Sequence, residues 1–216
     1  MNKVIKLGDS IVSLIISQKG DSKITYINLH ENETTSVTVG KKIIEKYGGC
    51  LIEVKAQGQR LISFSLEGKE YQFDPNRIFS DEGIKETLNE SNGKAFEVIK
   101  KFREELLAIL NKSNLIIALH NNEGGEFSLD SFPQFKISRC NGPHEFFYTT
   151  DLRLFNSLKS QFSIVLQDNQ IVEDDGSLSI YCGKNNISYI NVEARYDCYK
   201  EQLKMLEGLQ KEISKI

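Results

Sequence analysis

The sequence predicts an α/β domain built on a mixed β-sheet. Runs with the two-residue period of strands alternate along the chain with stripes of the 3.6-residue helical period. A hairpin, 61–66 and 69–73 joined by Glu67-Gly68, interrupts that alternation and requires an antiparallel pair. The 216 residues fit one domain, 1–216, large enough to bury a core without disulfide or metal staples.

Taken in order, β-branched or apolar runs mark strands at 11–16, 23–29, 51–55, 61–66, 69–73, 114–119, 162–166, 178–182 and 187–193. Val39, Ile43, Ile44 and Tyr47 share one face of a helix over 35–47, which Gly48-Gly49 stops. Phe96, Ile99, Phe102, Leu106, Ile109 and Leu110 stripe a second helix over 92–111. Asp151 can cap a third over 152–159, and Tyr199, Leu203, Leu206, Leu209 and Ile213 define the last. These stripes read as core contacts. Segment 121–150 fits neither period; it holds Gly124-Gly125, Pro133, Gly142-Pro143 and five phenylalanines. A loop that long in a compact domain is usually functional, and this one follows a histidine.

Composition removes several classes. With 27 Lys+Arg against 30 Asp+Glu, the net charge of −3 leaves no polyanion-binding footprint, so no nucleic-acid partner is expected. The apolar run Ile11-Val12-Ser13-Leu14-Ile15-Ile16 is too short to span a bilayer. Asp9 precedes it and no small-residue cleavage site follows, which makes it a poor signal peptide. Cys50, Cys140, Cys182 and Cys198 form no C-x-x-C, and read as free thiols in a cytoplasmic protein. There are only three histidines, so a histidine-dependent site has few ways to be built.

His30-Glu31-Asn32-Glu33 follows a strand and precedes a helix, where side chains leaving the core can converge on a crevice. An H-x-x-E pair on the first turn offers one imidazole and one carboxylate to a single cation, a donor set zinc accepts. Such a turn without metal is at least as common. His120 ends another apolar run, 115–119, in the same strand-to-crevice setting, and completes a His₂Glu set with His30 and Glu33. Asp74-Pro75-Asn76-Arg77 also closes a strand and taken alone reads as a plain turn. Its functional reading gives Asp74 to a ligand histidine, and Asn76 and Arg77 to a substrate carboxylate or carbonyl. Arg60 could join them. Glu193, near the end of the run 187–192, reads equally as the partner of Arg195 or as a general base. His144 reads as a surface-loop bystander, and Gly124-Gly125 alone makes no phosphate cradle.

The order His30-x-x-Glu33, Arg60, Asp74-Pro75-Asn76-Arg77, His120, Glu193 resembles the zinc carboxypeptidase superfamily, which includes the succinylglutamate desuccinylase and aspartoacylase group. The resemblance covers about 24–200, with H-x-x-E, D-P-N-R-I-F and L-H-N-N as its most specific parts. It implies a three-layer α/β/α sandwich on a mixed, about eight-stranded sheet. It implies zinc on His30, Glu33 and His120, Glu193 as general base and acid, and Arg60 polarising the scissile carbonyl. Asn76 and Arg77 would grip a substrate carboxylate, and Tyr181 or Tyr148 would supply an assisting tyrosine. The implied activity is hydrolysis of an amide next to a free carboxylate, on short or cell-wall-type peptides. Alternatives are an N-acyl amino-acid deacylase, or a non-catalytic binding module on the same fold.

Overall fold

Strands that read as unbroken apolar runs do so because both their faces are covered. In a computed structural model of the chain, which describes residues 1–123, 127–140 and 142–215, strand β7 (Leu115–Asn122) is buried at every position. Its odd-numbered Leu115, Ile117 and Leu119 enter one apolar layer, and Ile116 and Ala118 enter the other.

Around it lie β1 (Asn2–Leu7), β2 (Ser10–Lys19), β3 (Ile24–Asn28), β4 (Gly49–Lys55), β8 (Lys136–Ser138), β9 (Phe146–Thr149), β10 (Ile164–Leu166) and β11 (Ser188–Arg195). Among the described residues these nine strands form one sheet, in the order β1-β2-β4-β3-β7-β11-β9-β10-β8. The centre is parallel: β3 pairs with β4 and with β7, and β7 with β11. The pairs β1–β2, β2–β4, β9–β11 and β8–β10 are antiparallel. Helices α1 (Thr34–Tyr47), α4 (Leu152–Leu158) and α6 (Tyr199–Ile213) cover one face. The other is covered by α2 (Asp81–Thr87), α3 (Gly93–Leu110), α5 (Leu178–Lys184) and a separate two-stranded ribbon, β5 (Ile62–Leu66) with β6 (Lys69–Phe73). The α/β/α sandwich is therefore as expected, with nine strands in the sheet rather than about eight.

This topology places the site. From β3 the chain crosses one face through α1 to β4, and later returns through α3 on the opposite face to β7. The carboxyl ends of β3 and β7 are thus the point where strand order reverses, and connections leaving in opposite directions open a crevice there.

Four expectations need correction. The segment 178–182 is the helix α5, not a strand. Its short apolar run carries no decisive period, and burial of Leu178 and Cys182, one helical turn apart, against the α3 layer decides it. Segment 121–150 is not structureless: it contains the end of β7, a single 3-10 turn at Leu129–Ser131, and β8 and β9. Strands of three and four residues are too short to show a period. Like β8 and β9, the edge strand β1 and the helix α2 capped by Ser80 have no counterpart among the predicted elements. His30 precedes α1 rather than lying on its first turn. Gly124 and Gly125 lie outside the described residues.

Other readings stand. Glu67 (φ 53°) and Gly68 (φ 77°) form the hairpin turn, both left-handed as a two-residue connection requires. The Asp151 side chain accepts from the Arg153 N–H and caps α4. All four cysteines are free. No helix among the described residues is long and apolar enough to cross a membrane.

Candidate metal centre and its cavity

Glu33 occupies the N-cap position of α1, yet its side chain makes no cap hydrogen bond. Its carboxylate turns instead to two imidazoles: His30 Nδ1 donates to Oε1 at 2.8 Å, and His120 Nδ1 donates to Oε2 at 3.0 Å. The helix start is satisfied from elsewhere, since Asn121 Oδ1 accepts from the Ser36 N–H at 2.9 Å. The Ser36 hydroxyl in turn donates to the Glu33 carbonyl at 2.7 Å. One candidate ligand atom from each of His30, Glu33 and His120 lies within 4.8 Å of the others, and all three residues are buried. Two imidazoles and a carboxylate on one spot form a donor set that fits a divalent cation.

The surroundings are ordered for the same purpose. Asp74 Oδ1 accepts from His30 Nε2 at 2.8 Å, so the second nitrogen of that ring is held by a carboxylate. Asp74 is held in turn by the Asn76 N–H on the same oxygen, at 2.8 Å. Arg60 Nη1 donates to Glu33 Oε1 at 3.1 Å, and its Nη2 lies 3.6 Å from Asp74 Oδ2. Burial alone would push the His30 proton off, but the Asp74 and Glu33 carboxylates outweigh it and raise the imidazole to about 9. Burial alone would raise both carboxyls. The His120 and His30 rings bring Glu33 down to about 2, and His30, the Asn76 N–H and Arg60 bring Asp74 to about 2.

Glu193 is the register partner of His120 on the neighbouring strand, and it is buried. It does not pair with Arg195, which bonds to Glu145 instead. Two amides hold it: Asn191 Nδ2 donates to Oε1 at 2.9 Å and Asn122 Nδ2 to Oε2 at 3.3 Å. Because a carboxylate only accepts, both asparagine side chains have fixed orientations.

These groups open on one cavity of about 820 Å³, which His30, Glu33, Arg60, Asn76, Arg77, His120 and Glu193 all line. Asn76 Oδ1 accepts from the Leu178 N–H at 3.2 Å, leaving its Nδ2 without an acceptor among the described residues. Arg77 is ion-paired with Asp175 at the cavity edge. The turn that presents Asp175 depends on Gly176 (φ 73°), where a Cβ would lie 2.4 Å from the Arg77 carbonyl oxygen and 2.6 Å from Gly83 Cα.

Tyr181 is not brought to this cavity. It lies on α5, its ring against Phe79 and its hydroxyl donating to Asn111. Tyr148 lines the cavity, but its hydroxyl donates to Gln167 Oε1 at 2.9 Å. The tyrosine that sequence reasoning missed is Tyr196, which lines the cavity and accepts from Asn32 Nδ2 at 2.9 Å. Burial and the charge of Glu33 hold its phenol up at about 12, so it stays a donor at neutral pH. Asn191 was also missed, although two-residue alternation puts it on the same strand face as Glu193. His144 sits in the loop with its ring Nδ1 against the Phe127 carbonyl and is not part of the three-residue cluster.

No family model matches the sequence, and no curated protein matches it. Solved structures do. A protein of Shewanella baltica OS155 described as a "putative metallopeptidase" superposes with a TM-score of 0.50 at 11% identity, over 98% of this chain and 84% of that one. The tripeptide-bound cell shape determinant Csd4 of Helicobacter pylori gives 0.52 at 12% identity, over 94% of this chain and 55% of Csd4. At these identities the likeness is one of fold.

Proposed function

We propose that the chain is a zinc-dependent hydrolase of an amide bond next to a free carboxylate, carboxypeptidase-like on short peptides. The observation that carries this reading is the convergence of His30, Glu33 and His120 on a cavity that Glu193 also lines. Those three residues would hold the metal. When bound, zinc polarises a carbonyl oxygen and lowers the pKa of a bound water towards about 7.

The chain's own groups do the rest. Glu193, kept in one orientation by Asn191 and Asn122, takes the proton from the attacking water at its carboxylate and returns it to the leaving amine. Arg60, anchored through Glu33 and Asp74, presents positive charge where the carbonyl oxygen gains negative charge. Asn76 Nδ2 and Arg77 grip the substrate carboxylate, Arg77 sharing it with or releasing Asp175. Tyr196, its oxygen occupied by Asn32, has its own proton left for a substrate oxygen. A cavity of about 820 Å³ is roomy for a small N-acyl amino acid and suits a peptide better. Csd4 holds a tripeptide on this fold.

The test is metal content and turnover. Protein purified without chelator should carry one zinc per chain and release amino acids from a panel of short peptides. Glu193→Gln should keep the zinc and lose at least about 100-fold in kcat. Absence of zinc, or a Glu193→Gln variant as active as wild type, removes the reading. Zinc without turnover on peptides or N-acyl amino acids makes the chain a binding module.

A further inference from the structure

Glu31 stands between the two candidate ligands of the H-x-x-E turn, yet it does not line the cavity as His30, Asn32 and Glu33 do. Its carboxylate reaches instead to the loop that follows β4. Glu31 Oε2 accepts from the Ala56 N–H and from the Gly58 N–H, both at 2.7 Å. The other oxygen lies 3.6 Å from Lys55 Nζ. Bonds from two backbone donors to one carboxylate oxygen are charge-assisted, each about twice as strong as a neutral pair. The loop needs such a hold. Gln57, Gly58, Gln59 and Arg60 are all exposed, and a segment of that kind sits at the low end of local stability. The bonds that Gln57 exchanges with the Ser63 backbone tie the loop to its own continuation in β5, not to the site. Arg60 ends this segment, its guanidinium 3.1 Å from Glu33 Oε1 and 3.6 Å from Asp74 Oδ2. A cation on Glu33 draws on the same carboxylate, so the tip of Arg60 cannot be its only anchor. What aims the side chain is then the place where its backbone is held.

We infer that Glu31 is a positioning residue, which pins the 56–60 loop so that Arg60 faces the cavity beside Glu33. This rests on the hydrolase reading for what Arg60 does there, and goes beyond it in naming what aims the guanidinium. Positive charge serves a developing oxyanion best when it is in place beforehand and need not be reoriented during the reaction. Loss of the tether leaves substrate binding intact and weakens an interaction made in the transition state, which lowers kcat without raising KM. One short turn, His30 to Glu33, thus supplies two candidate metal ligands and fixes the loop that carries the charge beside them.

Hydrogen exchange tests the tether in the wild-type chain. The Ala56 and Gly58 amides should exchange at least about tenfold more slowly than in a free peptide of residues 55–61, and equal rates overturn the tether. Trypsin reads the same loop through cleavage after Arg60, which should be at least about tenfold faster in Glu31→Ala. Glu31→Gln keeps an acceptor oxygen and should stay within about threefold of wild type in both cleavage and kcat. In zinc-loaded enzyme, on the short peptide it cleaves fastest, Glu31→Ala should lose at least about tenfold in kcat with KM within about twofold. Its zinc content should not change. Combined with Arg60→Ala it should cost nothing further, as for two residues that act through one interaction. A loss that adds to that of Arg60→Ala, a loss of zinc, or a kcat equal to wild type overturns the positioning role. If wild type turns over nothing while Glu31→Ala frees the loop to trypsin, the tether stands and the hydrolase reading falls. Turnover with a loop that stays equally resistant in Glu31→Ala does the reverse.

Discussion

Glu33 is bonded at both oxygens by His30, His120 and Arg60, and that crowding gives the metal-free protein a characteristic pH response. His30 is raised to about 9, so its contribution to stability is complete below the ordinary imidazole value of about 6.5 and is lost as pH rises through about 9. Glu33 and Asp74 are lowered to about 2, so theirs is complete above the ordinary carboxylate range of about 4 and is lost as pH falls through about 2. Urea midpoints of chelator-treated protein should therefore be highest between about pH 5 and 6.5 and fall on either side. Glu33→Gln should flatten the alkaline limb, and a wild-type midpoint unchanged from pH 6 to 10 would contradict the arrangement. At this scale His30, Glu33, His120, Asp74, Arg60 and Glu193 were legible, because each closes a strand or stands at a motif spacing. Tyr196 and Asn191 were not: the turn that brings Tyr196 back places Asp197 at φ 64°, a conformation no local pattern announces.

Elements are set by contacts as much as by period. The turn at 174–177 is secured by Phe79 N–H donating to the Gly176 carbonyl at 2.8 Å and by the close approach of Gly176 to Gly83. Replacing Gly176 by Ala forces a left-handed conformation and a clash with backbone atoms on two sides. The expected cost is about 2–4 kcal/mol, read as a lower urea midpoint. Gly20, also left-handed at φ 62° but with nothing within 4 Å of a Cβ, is the control, and its replacement should cost about 1 kcal/mol. Equal costs at the two glycines would refute the close-packing explanation. The same dependence on contacts explains α5, where a seven-residue run gives no decisive period and packing beneath Phe79 and α3 selects a helix.

Across the whole molecule, the sheet holds the candidate ligands near one another before any metal arrives. Zinc should then stabilise the native state by mass action, about 4 kcal/mol at a thousandfold excess over Kd. For a chain this long that corresponds to a melting point about 10 °C higher than in chelator, measured by calorimetry and reversed by stripping the metal. Identical melting points with and without millimolar zinc would remove the metal centre from the account. Local pattern specifies the alternation of strands and helices, the hairpin, the α/β class and the short list of residues able to hold a cation. It can do so because periodicity, turn chemistry and donor type are local properties of the chain. Long-range packing settles that Glu193 faces the cavity rather than Arg195, that Tyr196 and not Tyr181 borders it, and that Phe127, Phe132 and Phe135 of the segment 121–150 line it. Those outcomes depend on which strands become neighbours, and the reversal of strand order between β3 and β7 is a long-range arrangement that no window of sequence contains.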